Sequence, residues 1–111
     1  MSRDRYEDVS AVEREGLSDN QKQTLKSLLA GGHIGADKRV MLWRLLPLLP
    51  EVKPSAVQYQ REQAKTRRYA PALAGLWKRG LVEKVTVLIN QPGGYAWWLT
   101  EAGAEVAAKL R

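Results

Sequence analysis

The chain has 111 residues, 44% of them apolar and 27% charged, with a net charge of +6 and no cysteine. That length makes one domain around one core. The missing cysteine excludes a disulfide framework, a thiol nucleophile and a Cys-ligated metal site, and the longest apolar run, "VMLWRLLPLLP", is broken by Arg44 and Pro47 and is too short to span a bilayer.

The charge is unevenly placed. Residues 1–20 set three arginines against six acids, residues 21–80 set twelve Lys and Arg against three acids, and residues 81–111 balance. A basic middle of this kind suits either a polyanion partner or a solvated surface. The first sixteen residues are charged and lack the apolar centre of a signal peptide, so the expectation is a cytoplasmic protein.

Residues 1–17 read as an acidic head. Tyr6, Val9 and Val12 recur at loose three-residue spacing, and the stretch is either a short helix or disordered. "LSDNQKQTLKSLLAGG" is a clearer helix. Ser18 is its N-cap, Gln21 completes a capping box, Leu25, Leu28 and Leu29 form one stripe, and Gly31 and Gly32 end it. In "ADKRVMLWRLLPLLP", Asp37 is expected to cap a helix from Val40 to Leu46. Its all-round apolar character predicts that Trp43 lies in the core. Pro47 and Pro50 kink or end that helix.

"SAVQYQREQAKTRRYAPALAGLWKRG" is helical in propensity. Pro71 leaves two possibilities, one kinked helix over residues 56–79 or two helices meeting near residues 64–69. Tyr69, Leu73 and Leu76 share a core face, with Trp77 half buried beside them. "LVEKVTVLI" alternates as a strand, "NQPGG" is a turn, and "YAWWLT" is a second strand, which makes a β-hairpin over residues 81–99. Thr100 caps a final helix, "EAGAEVAAKL". On the second strand Trp97 is expected to share the core face of Leu99, and Trp98 to be the more exposed ring.

Two motifs join these elements. Lys78-Arg79-Gly80-Leu81-Val82-Glu83-Lys84 resembles the junction between recognition helix and first wing strand in winged helix-turn-helix DNA-binding domains. Leu99-Thr100-Glu101-Ala102-Gly103 resembles the end of the second wing strand in MarR-type and PadR-type transcription regulators. The resemblance covers residues 18–111. It implies an α+β, mostly helical winged helix-turn-helix with three or four helices, a two-stranded hairpin wing and a C-terminal helix. It also implies sequence-specific binding of double-stranded DNA by a small, nucleoid-associated transcription regulator.

The residue chemistry points the same way. Arg61, Lys65, Thr66, Arg67 and Arg68 supply the donors that pair with phosphates, and arginine also reads guanine edges. The resemblance places Thr66, Arg67, Arg68 and Ala72 on the DNA side. Gln58, Gln60 and Gln63 extend that surface if the helix is long. The wing tip has no Lys or Arg, so any contact there falls to Asn90, Gln91 and backbone N–H groups. The terminal helices are candidates for pairing two subunits as a homodimer.

Other chemistries lack a constellation. His33 is the sole histidine and cannot build a usual zinc site. "GGHIG" follows no strand and precedes no phosphate-binding lysine. The serines have no nucleophile-elbow context, and the glutamates sit on polar helical stretches. The expectation is therefore no enzyme, no metal, no cofactor and no small-molecule ligand. The rival reading is a winged-helix protein–protein adaptor within a nucleic-acid-handling complex, with Trp98 on its partner surface.

Overall fold

The computed structural model describes residues 16–52, 56–90 and 94–110. The expected acidic head lies outside these residues as far as residue 15. Among the described residues, four helices and a three-stranded antiparallel sheet make an α+β fold. In chain order these are α1 (Asp19–Ala30), β1 (Val40–Met41), α2 (Leu42–Leu45), α3 (Gln58–Lys78), β2 (Val82–Thr86), β3 (Tyr95–Leu99) and α4 (Glu101–Ala108). A 3-10 turn, Ala36–Lys38, precedes β1, and α2 runs into a second, Leu46–Leu48.

α1 starts where its capping box predicts. The Gln21 backbone N–H donates to Ser18 Oγ at 3.2 Å, and the Ser18 N–H donates to Gln21 Oε1 at 2.9 Å. Two orphan donors of the first turn are thereby satisfied. Leu25 and Leu28 then enter a core built with Leu45, Tyr69, Leu73, Leu76, Leu81, Val82, Leu99 and Val106. Each fully buried leucine there contributes about 1.5–3 kcal/mol relative to an exposed one. α1 packs on both α3 and α4, which makes it the spine of the helical layer.

The sheet order is β1-β3-β2, so the expected two-stranded hairpin has a third strand. Val40 pairs with Trp97 and Met41 with Ala96, while β2 pairs along the whole of β3 from Val82↔Leu99 to Thr86↔Tyr95. This corrects the expected helix over Val40–Leu46. Asp37 sits in a 3-10 turn rather than at a cap, Val40 and Met41 are extended, and helix begins only at Leu42. Trp43 is corrected with it. The α2 helix is four residues long, directs Leu42 and Leu45 inward, and leaves Trp43 58% exposed under the Arg44 guanidinium.

α3 is one continuous helix through Pro71, which settles the alternative between one helix and two. Proline removes the N–H that would bond the Arg67 carbonyl. Its ring is exposed, and Tyr69 and Leu73 on either side are buried, so packing holds the helix across the gap.

The two motifs meet in space. Gly80 takes φ +76° and turns α3 into β2, a conformation that costs glycine little. Its carbonyl accepts a 2.7 Å hydrogen bond from Thr100 Oγ1, and the Leu81 carbonyl accepts from the Thr100 N–H at 3.1 Å. The same Thr100 oxygen accepts from the Gly103 N–H at 3.0 Å and caps α4. Gly103 lies so close to the Leu81 carbonyl that a Cβ there would collide with it. One threonine and one glycine thus lock both ends of the hairpin to the helical layer.

Candidate nucleic-acid interface

A 21-residue helix is about 31 Å long, and α3 divides along that length. Every buried side chain of α3 lies between Lys65 and Leu76. The first six residues, Gln58 to Gln63, are exposed apart from the partly buried Arg61. The helix therefore holds the body with its second half and presents its first half to solvent.

The inward direction is fixed by Lys65, Tyr69, Ala72, Leu73 and Leu76. On a 3.6-residue period, Gln60, Gln63, Arg67 and Lys78 fall on the opposite side. Arg67, Arg68 and Lys78 are exposed. Arg61 is partly buried and lines a cleft of about 210 Å³ between the Leu46–Pro47 turn and the start of α3.

Two expected contact residues do not face solvent. Lys65 is only 6% exposed. Its Nζ donates to the Leu46 carbonyl at 2.9 Å and pairs with Glu51 at 3.2 Å. That cation ties the chain after α2 to α3 and is unavailable to a phosphate. Ala72 is 6% exposed and packs inward. Its expected place on the outer side is corrected, because the residue falls one turn from Tyr69 and Leu76 on the buried stripe.

Thr66 is partly buried, and its hydroxyl donates to the Glu62 carbonyl at 2.9 Å, so its proton is used within the helix. Near Arg68, Tyr69 is 2% exposed and donates to the Pro50 carbonyl at 3.3 Å. Burial pushes its phenol pKa up, and the Arg68 charge pulls against that shift. Burial dominates because the charged phenolate loses its hydration there.

Tyr59 is the residue that sequence reading passed over. It is 66% exposed, and its hydroxyl oxygen accepts a 2.8 Å hydrogen bond from Gln63 Nε2. The Tyr-x-x-x-Gln spacing is the available signal, since residues four apart are neighbours on a helix. Gln58 makes a parallel contact, donating to Glu62 Oε1 at 3.0 Å.

The hairpin carries little charge. Asn90 is exposed at its tip with φ +64°, and Gln91 lies outside the described residues. Val85, Val87, Leu88 and Ile89 are exposed apolar residues, with Ile89 at 76%. At the base, the Lys84 ammonium lies 4.9, 4.3 and 5.5 Å from the ring centroids of Trp77, Tyr95 and Trp97. Trp97 is buried, as its register with Leu99 predicts, and Trp98 is half-buried on the other face.

His33 Nδ1 is hydrogen-bonded to the Lys38 carbonyl at 2.9 Å. Among the described residues no cluster of His, Cys, Asp or Glu is arranged to hold a metal, and no helix is long and apolar enough to cross a membrane. No family model, curated protein or solved structure matches this chain.

Proposed function

We propose that the chain is a winged-helix domain that binds double-stranded DNA and acts as a small transcription regulator. In this reading α3 is the recognition helix, and β2 and β3 are the wing. The carrying observation is the two-sidedness of α3, which exposes Gln60, Gln63, Arg67 and Arg68 while Lys65, Tyr69, Ala72, Leu73 and Leu76 anchor its other side. An α-helix fits the major groove of B-DNA, and such a helix must be free of its own protein on that side.

The roles differ from those expected of the bare sequence. Arg67 faces the groove floor and Arg68 the flank. Arg61 and Lys78 approach phosphates. Lys65 and Ala72 hold the helix in place. The wing lies alongside and contributes Asn90 and backbone donors rather than cations. Lys84 holds it against Trp77, which sets its angle to α3.

Sedimentation with and without a DNA duplex tests the reading and also gives the oligomeric state. Co-sedimentation at low salt that is lost at high salt is the expected result. A protein that sediments alone at both salts contradicts it.

A second reading, a protein–protein adaptor, is favoured by one observation, the exposed row Val85, Val87, Leu88 and Ile89 on a wing whose tip sequence has no Lys or Arg. A partner held there would resist high salt and be lost on Ile89→Asp or Trp98→Ala. DNA held by α3 would respond oppositely to both changes.

A further inference from the structure

The exposed half of α3 holds two amide side chains pinned by neighbours four residues away. Gln58 gives its amide to the Glu62 carboxylate, a contact that lies along the helix and ends in a negative charge. Gln63 gives its amide to a neutral hydroxyl, that of Tyr59. With one Nε2 proton so placed, the second proton and Oε1 of this exposed side chain are left to act as a donor–acceptor pair. That pair complements N7 and the N6 amino group of adenine, the bidentate match by which glutamine reads A in the major groove.

Arg67 stands one helical turn beyond Gln63 on the same outward side. Its guanidinium matches O6 and N7 of guanine. Residues 63 and 67 are about 6 Å apart along the helix axis. Base pairs rise about 3.4 Å each along a strand. A helix lying along the groove therefore sets these two side chains about two base-pair steps apart.

We propose that Gln63, positioned by Tyr59, reads adenine and that Arg67 reads guanine, so that α3 selects duplexes carrying an A·T and a G·C pair within two steps of each other. The proposal rests on the duplex-binding reading above and adds to it the bases read. Tyr59 is a positioning residue. Its hydroxyl removes rotational freedom from the Gln63 amide before DNA arrives, which lowers the ordering cost of the bidentate contact.

The test is selection of random duplexes by the full chain at moderate salt, run in parallel with Gln63→Ala, Arg67→Ala and Tyr59→Phe. The wild type should enrich an A·T and a G·C pair within two steps. Gln63→Ala should lose the first preference and keep the second, and Arg67→Ala the reverse. Titration of the selected duplex with that adenine replaced by 7-deazaadenine should weaken wild-type binding about ten- to a hundredfold and leave Gln63→Ala unaffected. Tyr59→Phe should reduce discrimination against 7-deazaadenine while its affinity for the 7-deaza duplex matches the wild type. An unchanged adenine preference in Gln63→Ala overturns the proposal. So does salt-sensitive binding by the wild type with no base preference, which would leave duplex binding standing. Failure to retain any duplex overturns both.

Discussion

The ammonium of Lys84 lies 4.9 Å from the centroid of the Trp77 ring, and this contact joins strand β2 to the last turn of α3. Tyr95 and Trp97 close around the same cation from β3. The hairpin is thus held to the helical layer near its base, by these side chains and by the Thr100 hydroxyl on the Gly80 carbonyl.

Lys84→Met keeps most of the aliphatic stem and removes the charge. A cation over an aromatic face contributes about 0.5–2 kcal/mol. Urea unfolding should show a loss of about 1 kcal/mol together with a change in tryptophan emission. An unchanged midpoint would mean that the three rings hold the strand by area alone.

Lys65 and Arg67 should separate stability from binding. Lys65→Met leaves the Leu46 carbonyl without its donor, a loss of about 1–3 kcal/mol, yet duplex affinity per folded molecule should not move. Arg67→Ala touches an exposed side chain and should change stability by less than about 0.5 kcal/mol while weakening duplex binding. Equal effects of the two on affinity would return Lys65 to the interface.

Gly103→Ala sets a methyl group against the Leu81 carbonyl at the joint of α4 and β2. Relief requires a backbone shift, and overpacking of this kind costs about 1–3 kcal/mol. Thermal unfolding should occur at lower temperature than in the wild type. A neutral result would mean that α4 docks more loosely than its contacts describe.

Tyr69 carries a pH dependence. Its folded pKa is raised above the ordinary phenol value of 10.0 by burial, so the folded state keeps a proton that the unfolded chain releases. Its contribution is complete below about pH 10 and is lost as pH rises through the folded value. Tyr69→Phe loses the hydrogen bond to Pro50 and starts less stable, but its stability should decline less steeply above that pH. Parallel alkaline denaturation curves for the two proteins would contradict this.

Local chemistry made much of the fold legible. The Ser18–Gln21 capping box, the Thr100 cap, the Tyr69–Leu73–Leu76 face and the side of Trp97 are set by spacings within a few residues, and each is found as read. What escaped depends on distant partners. Val40 and Met41 look helical beside Leu42 but are extended because they pair with Trp97 and Ala96, more than fifty positions away. Trp43 is exposed because its helix ends after one turn, before a second apolar face can find cover. Lys65 reads as one more cation in a basic run. Its burial follows from the Leu46 carbonyl and Glu51, which reach it only after the chain reverses beyond α2. For the candidate site, the sequence identified the basic segment, and burial along α3 then separated Arg67 and Arg68 from Lys65 and Ala72.

The central claim is that the exposed cations of α3 hold a DNA duplex. Fluorescence titration of a labelled duplex at 50 and 200 mM salt tests it most directly, with wild type beside the Arg67→Ala, Arg68→Ala double variant. Three or four phosphate contacts release enough counterions to weaken wild-type binding roughly 40- to 150-fold over that interval. The double variant should bind more weakly at both salts and with a shallower dependence, while its unfolding curve matches the wild type. An affinity indifferent to salt, or one unchanged in the double variant, would contradict the account.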